Sequence, residues 1–205
     1  MKWKELLEHM DPLLPADFFS YSFSISSKMT EVPSTSHLLD EEKFGSLYLS
    51  WGEDGVFGKA VIEKPFEGSF FPDYRKGDCL EIFIDTRDHK KSGFASRFCH
   101  HFVFLAGEVN GIRGEEVSRF RSEDTHPLCN ASDLTVSSHA GNKSYEISFQ
   151  IKESALYGFD PSQFPRMGFA YRISRLKGKP QHFPVSSERF ELFEHPGLWA
   201  SVQLI

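Results

Sequence analysis

Two runs of alternating side chains lie in the stretch GDCLEIFIDTRDHKKSGFASRFCHHFVFL, Gly77 to Leu105, and they constrain this chain more than any other feature. In the first, Leu80, Ile82 and Ile84 alternate with Cys79, Glu81, Phe83 and Asp85. In the second, Phe98, His100, Phe102 and Phe104 alternate with Cys99, His101, Val103 and Leu105. A period of two in β-branched and aromatic residues marks a strand, because successive side chains leave a strand on opposite faces. The polar segment between the runs carries Gly93 and reads as a loop. Each strand therefore has one apolar face and one face that mixes polar with apolar groups. Glu81, Asp85 and His101 (or His100) are unusual in mid-strand, so these faces either meet solvent or line a site.

The same period recurs along the chain. Phe18 to Ser26 sets Phe19, Tyr21, Phe23 and Ile25 against serines. Ser46 to Trp51 and Val56 to Glu63 flank the turn sequence GEDG, where glycine supplies positive φ. Leu134 to His139 and Tyr145 to Ile151 read as a hairpin across AGNK. In its second strand Tyr145, Ile147, Phe149 and Ile151 face one way, and Glu146, Ser148 and Gln150 the other. Met167 to Arg175 turns Met167, Phe169, Tyr171 and Ile173 inward, leaving Gly168, Ala170, Arg172 and Ser174 outward. Leu198 to Leu204 reads as a last strand. At the N-terminus, Trp3, Leu6, Leu7 and Met10 predict a short amphipathic helix stopped by Pro12. Residues 64–76, 106–130 and 176–194 read as long loops.

Eight or nine strands with almost no helix predict an all-β fold: an antiparallel two-sheet β-sandwich with a short N-terminal helix. The 205 residues fit one domain, 1–205, in which 1–17 form the helix and lead-in. The 21 phenylalanines suit the space between two packed sheets.

The formal charge of −6, with signs mixed along the chain, argues against nucleic acid as a partner. No apolar run approaches the roughly 20 residues needed to span a bilayer, and no membrane partner is expected. The start of the chain has no apolar signal region, which predicts a soluble, cytoplasmic protein; unconventional secretion would leave no mark of this kind. Three cysteines without regular spacing are not a disulfide framework and read as small buried thiols. The chain lacks G-x-S-x-G, H-E-x-x-H, a phosphate loop and G-x-G-x-x-G, so no enzyme is expected.

Several motifs in order resemble one known family. They are LYLSW at 47–51, GDCLEIFIDTRD at 77–88, the His101-Phe102 pair, YEISFQI at 145–151, LYGF at 156–159, GFAYRI at 168–173 and HPGLWASVQL at 195–204. Over residues 44–205 the chain resembles the family 9 carbohydrate-binding modules and the wider DOMON-like group of sugar- and haem-binding β-sandwiches. The resemblance implies a jelly-roll-like sandwich, a saccharide on the concave face or at the loop ends, calcium in a structural role, and no catalysis.

Residue types agree with a sugar site. Glu81, Asp85, His101, Glu146, Gln150 and Arg172 converge on one polar face if their strands are neighbours. Carboxylates and amides bind paired hydroxyls, arginine donates in a fork, and a ring stacks on the C–H face of a pyranose. Trp51 is the expected platform, with Phe71 and Tyr74 as further candidates, whereas Trp199 reads as a core plug. Asp85 and Asp88, with Glu53 or Asp54, are candidate calcium ligands, although no calcium-loop motif is present. Cys99, His100 and His101 suggest zinc by type, but adjacent strand residues point to opposite faces. Haem would draw on Met167 and His101 as axial ligands. Two other outcomes have their own signatures. A protein-binding sandwich would expose a flat patch of Phe66, Phe70 and Phe71. A glycosidase would set Glu81 and Glu146 across a cleft, with one carboxyl pKa raised.

Overall fold

Side chains that alternate along single strands meet across two sheets in the computed structural model, which describes residues 21–91, 93–188 and 191–205. The helix expected at Trp3–Met10 and the start of the strand expected from Phe18 lie outside the described residues. The strands are β1 (Ser22–Ile25), β2 (Thr30–Glu31), β3 (Gly45–Gly52), β4 (Gly55–Ile62), β5 (Cys79–Asp85), β6 (Cys99–Val109), β7 (Ile112–Glu116), β8 (Leu134–Ala140), β9 (Tyr145–Lys152), β10 (Arg166–Ser174), β11 (Gln181–Phe183) and β12 (Ala200–Leu204). A single turn of helix, α1 (Ser36–Leu39), precedes β3.

Seven strands form the larger sheet in the order β1-β12-β10-β5-β6-β7, with β11 also paired to β10; five form the smaller, β2-β3-β4-β9-β8. β1 runs parallel to β12, and the other pairs are antiparallel. The expected two-sheet sandwich is thus what forms.

Between the sheets, Leu80, Ile82 and Ile84 of β5, Phe102 and Phe104 of β6, and Met167, Phe169, Tyr171 and Ile173 of β10 meet Leu47, Leu49, Ala60, Tyr145, Ile147, Phe149 and Ile151. Phe104 stacks on Phe149 across the gap, centroids 4.4 Å apart and planes 12° off parallel. The Phe149 ring lies flat on Gly58, where a Cβ would stand only 2.2 Å from its Cζ. This strand position accepts no side chain, because the ring already fills the space.

The two outer faces differ. On the smaller sheet β9 alternates buried and half-buried residues, and Glu146 pairs with Lys59 at 2.8 Å in solvent. That is an antiparallel sheet with one wet face. On the larger sheet β5 is buried at every residue. Its outer face carries a second apolar layer in which Phe83, Cys99, Ala170, Leu192, Phe193 and Trp199 pack together. Beside it Cys79, Val103 and Leu105 are covered by Phe71, Tyr74 and Val117. Trp199 is fully buried with its indole N–H on the Leu192 carbonyl, a core plug as its position predicts.

The long loops are the cover of this face. Asp78 fixes the first: its carboxylate accepts N–H groups from Glu67 (2.6 Å), Gly68 (3.2 Å) and Leu176 (3.0 Å). Two segments read as loop contain strand. β6 runs on to Val109 and turns back into β7 at Asn110-Gly111, both with positive φ. Asn-Gly is the signature of a tight hairpin turn, and the polar character of 108–121 conceals it. β11 forms inside 176–194, where the buried Gln181 side chain bonds to Phe44 N, Gly45 N, Gly45 O and the Tyr171 hydroxyl.

Candidate functional site

Strand register assembles the site. β10 places Arg172 opposite Glu81 of β5, and β6 places His101 opposite Phe83, one diagonal step from Glu81. All three side chains leave the outer face of the larger sheet, and Glu81 is fully buried there. Its Oε2 faces Nε2 of His101 at 3.0 Å. Arg75, from the turn Tyr74–Lys76, grips it with Nε at 3.1 and 3.0 Å and Nη2 at 2.9 Å. Nε of Arg172 stands 3.6 Å away, an ion-pair distance without a hydrogen bond. Arg75 then reaches outward, and its Nη1 donates to both oxygens of Glu191 at 2.9 and 2.7 Å. One guanidinium joins a buried carboxylate to one at the surface.

Burial alone would raise the Glu81 pKa. The His101 hydrogen bond and the charge of Arg75 outweigh it and hold the carboxyl down to about 2. Burial pushes His101 down, against the pull of Glu81, so its ring stays neutral and donates Nε2–H to the carboxylate. The imidazole is clamped between Phe83 (4.3 Å) and Phe193 (5.8 Å), with Tyr74 edge-on at 6.2 Å.

Above this floor opens a cleft of about 490 Å³, walled by Tyr74, Arg75, His101, Arg119, Glu191 and Phe193. It offers aromatic surface, fork donors and a carboxylate within one concavity.

The residues singled out in the sequence divide between two places. Glu81, His101 and Arg172 come together as described. Asp85 leaves the same strand, but its carboxylate accepts the N–H groups of Arg87 (2.9 Å) and His89 (2.6 Å) and caps the following turn. Asp88 is engaged by Lys90 (2.7 Å) and Ser201 (2.6 Å). Glu146 and Gln150 do not join them: β9 lies between β4 and β8 in the smaller sheet, so they face the opposite side of the sandwich. For the same reason Glu81 and Glu146 flank no common cleft. Trp51 is also on the smaller sheet, its indole N–H shared by the carbonyls of Ile25 (3.1 Å) and Ile205 (3.2 Å). It borders a second cleft of about 560 Å³ with Glu53, Glu153, Phe159 and Asp160. Met167 lies between the sheets while His101 is outside them, so the two cannot share a haem.

The apolar patch expected of Phe66, Phe70 and Phe71 does not form. Phe66 packs edge-on against Tyr145, Phe71 stacks on Tyr74, and Phe70 stays 43% exposed. Arg75, Arg119, Glu191 and Phe193 are not among the residues singled out in the sequence: they lie in covering segments that carry no periodicity, and the length of 64–76, 106–130 and 176–194 is the signal that points to them.

Two further polar clusters lie elsewhere. Ser187 Oγ meets Nε2 of His182 at 2.7 Å, and Nδ1 of His182 meets Glu41 at 2.7 Å. The order hydroxyl, imidazole, carboxylate is that of a nucleophile triad, but none of the three lines either cleft. The other cluster, His100, Glu116 and His126, is the group of buried side chains among the described residues with the spacing to hold a metal ion.

No family model matches the chain, and no curated protein matches it in sequence. Solved structures do. A family 9 carbohydrate-binding module from Caldicellulosiruptor kristjanssonii in complex with cellotriose superposes with a TM-score of 0.64 at 11% identity, over 90% of this chain and 93% of that one. The fold is that of the family 9 carbohydrate-binding modules. A family 9 module from the same organism in complex with glucose gives 0.63 at 12% identity, over 90% and 96%. A Bacteroides uniformis protein gives 0.56 at 12%, over 90% and 99%. At such identities the likeness speaks for the architecture, in agreement with the motif order from LYLSW to HPGLWASVQL.

Proposed function

We propose that this chain is a non-catalytic saccharide-binding domain, and that the cleft over Glu81 holds the sugar. The observation that carries this reading is the anchoring of the cleft floor: His101 and Arg75 are fixed by the buried Glu81 before any ligand arrives. A pre-formed donor set loses little freedom on binding. Tyr74 and Phe193 supply ring surface for a pyranose, and Glu191 and Arg119 supply an acceptor and a fork for hydroxyl pairs. Among the described residues the second cleft is walled by Glu53, Glu153 and Asp160 with no Arg, Lys or His, which makes it the poorer match to hydroxyls that both donate and accept. The solved relatives of this fold hold cellotriose and glucose.

The test is calorimetric titration with glucose and cellotriose, backed by a thermal-shift screen of other saccharides. A ligand at 100 times its Kd adds about 2.7 kcal/mol of stability. Tyr74→Ala should abolish binding and Trp51→Ala should leave it intact. The reverse pattern moves the sugar to the second cleft. No response to any saccharide defeats the reading.

A further inference from the structure

We propose that His100, Glu116 and His126 form a structural zinc site at one end of the sandwich. It is independent of the saccharide reading and of the cleft. His100 comes from β6, Glu116 from the end of β7, and His126 from the covering segment beyond it. Side-chain exposure is 0% for His100, 0% for Glu116 and 1% for His126.

Nδ1 of His126 stands 2.6 Å from the carbonyl of Arg97. A carbonyl only accepts, so this nitrogen carries the hydrogen, and in the neutral ring the lone pair is left on Nε2. That lone pair faces Oε1 of Glu116 at 2.8 Å. Nδ1 of His100 faces the same oxygen at 2.9 Å. Its Nε2 is buried without a hydrogen-bond partner. His126 thus has a backbone carbonyl at one nitrogen and turns the other toward the carboxylate oxygen that Nδ1 of His100 also meets. A ring lone pair aimed at an anion repels it unless a proton or a metal cation joins the two. Imidazoles that bind a metal use their second nitrogen in this way, donating to a carbonyl that fixes the tautomer.

The carboxylate is held as well. Oε2 accepts the Cys129 N–H at 2.7 Å, and the Ser118 hydroxyl donates to Oε1 at 2.8 Å. Two imidazole nitrogens and a carboxylate oxygen suit zinc, whose bonds of roughly 2.0–2.2 Å set ligands about 3.3 Å apart. The present N···O contacts need to open by only about half an ångström to seat it. The ion would pin the segment through His126 and Cys129, which has little regular structure of its own, to the edge of the larger sheet.

The experiment uses the full chain, stripped with a chelator, reloaded with zinc and desalted. We expect one zinc per chain by elemental analysis, a raised Tm that chelator reverses, and the intense visible bands of tetrahedral Co²⁺ on cobalt substitution. His126→Asn should remove the bound metal, whereas His139→Asn, on the exposed edge of β8, should keep it. Ser118→Ala should weaken zinc by about tenfold through the orientation of Glu116. If His126→Asn fails to fold, the stoichiometry and cobalt spectrum of the unaltered protein still decide. Loss of all zinc on desalting with no change in Tm, or full stoichiometry in His126→Asn, overturns the site and assigns the cluster to an imidazolium–carboxylate pair.

Discussion

Arg75 grips Glu81 with two nitrogens, yet the carboxylate is fully buried while 28% of the guanidinium side chain still meets solvent. Removing the arginine leaves a buried anion with a hydrogen bond from His101 and, without one, Arg172 at 3.6 Å. Arg75→Ala should therefore cost about 3–5 kcal/mol in urea unfolding. Arg75→Lys should recover part of this at most, since an ammonium cannot fork between Glu81 and Glu191. A loss below about 1 kcal/mol would mean that Arg75 is a surface residue in energetic terms.

Glu191 is the other end of that bridge and is 54% exposed. Exposed pairs contribute little, so Glu191→Gln should change stability by less than about 1 kcal/mol. If the cleft holds a saccharide, the same substitution should weaken binding in calorimetry. Unaltered affinity would remove Glu191 from the site.

Stability should depend on pH through Glu81. The folded carboxyl titrates at about 2 against 4.5 in the unfolded chain. Its contribution is present above pH 4.5 and is lost as pH falls toward 2, because the unfolded state takes up the proton first. The share is on the order of 3 kcal/mol. His101, held below its ordinary 6.5 by burial, acts in the same direction from pH 6.5 downward. Chemical unfolding between pH 7 and pH 3 should give a falling free energy, and Glu81→Gln should flatten its acid limb. A profile that rises toward acid would refute the assignment.

Gly58→Ala places a methyl group where the Phe149 ring lies, and Phe104 behind that ring blocks its retreat. Overpacking of this kind costs about 1–3 kcal/mol, read as a lower Tm with unchanged saccharide affinity. The double variant Gly58→Ala with Phe149→Leu should recover part of the loss. No recovery would place the strain elsewhere.

Ser187 should remain unlabelled by a fluorophosphonate probe in intact-mass analysis. Its hydrogen-bonded partners His182 and Glu41 fasten β11 to the segment after α1, and neither cleft contains the serine. Stoichiometric labelling at Ser187 would overturn the non-catalytic reading.

The sequence by itself determined the sandwich. Period-two alternation in β3, β4, β5, β6, β9 and β10 reports a local geometric fact, that neighbouring side chains leave a strand on opposite sides, and so it also determined which faces meet in the core. Only the tertiary structure decided which strands became neighbours. Glu81, His101 and Arg172 share a site because β6, β5 and β10 adjoin, while Glu146 and Gln150 are remote because β9 pairs in the other sheet. Alternation is blind to this, since it is the same whichever sheet a strand enters. The tertiary structure also decided that one outer face is dry. Segments without periodicity, which a sequence presents only as loops, fold over β5; they set Arg75 on the carboxylate of Glu81 and bring Glu191 and Phe193 to it from more than a hundred residues along the chain. Such contacts depend on long-range packing of irregular backbone, and no local pattern of residues encodes them.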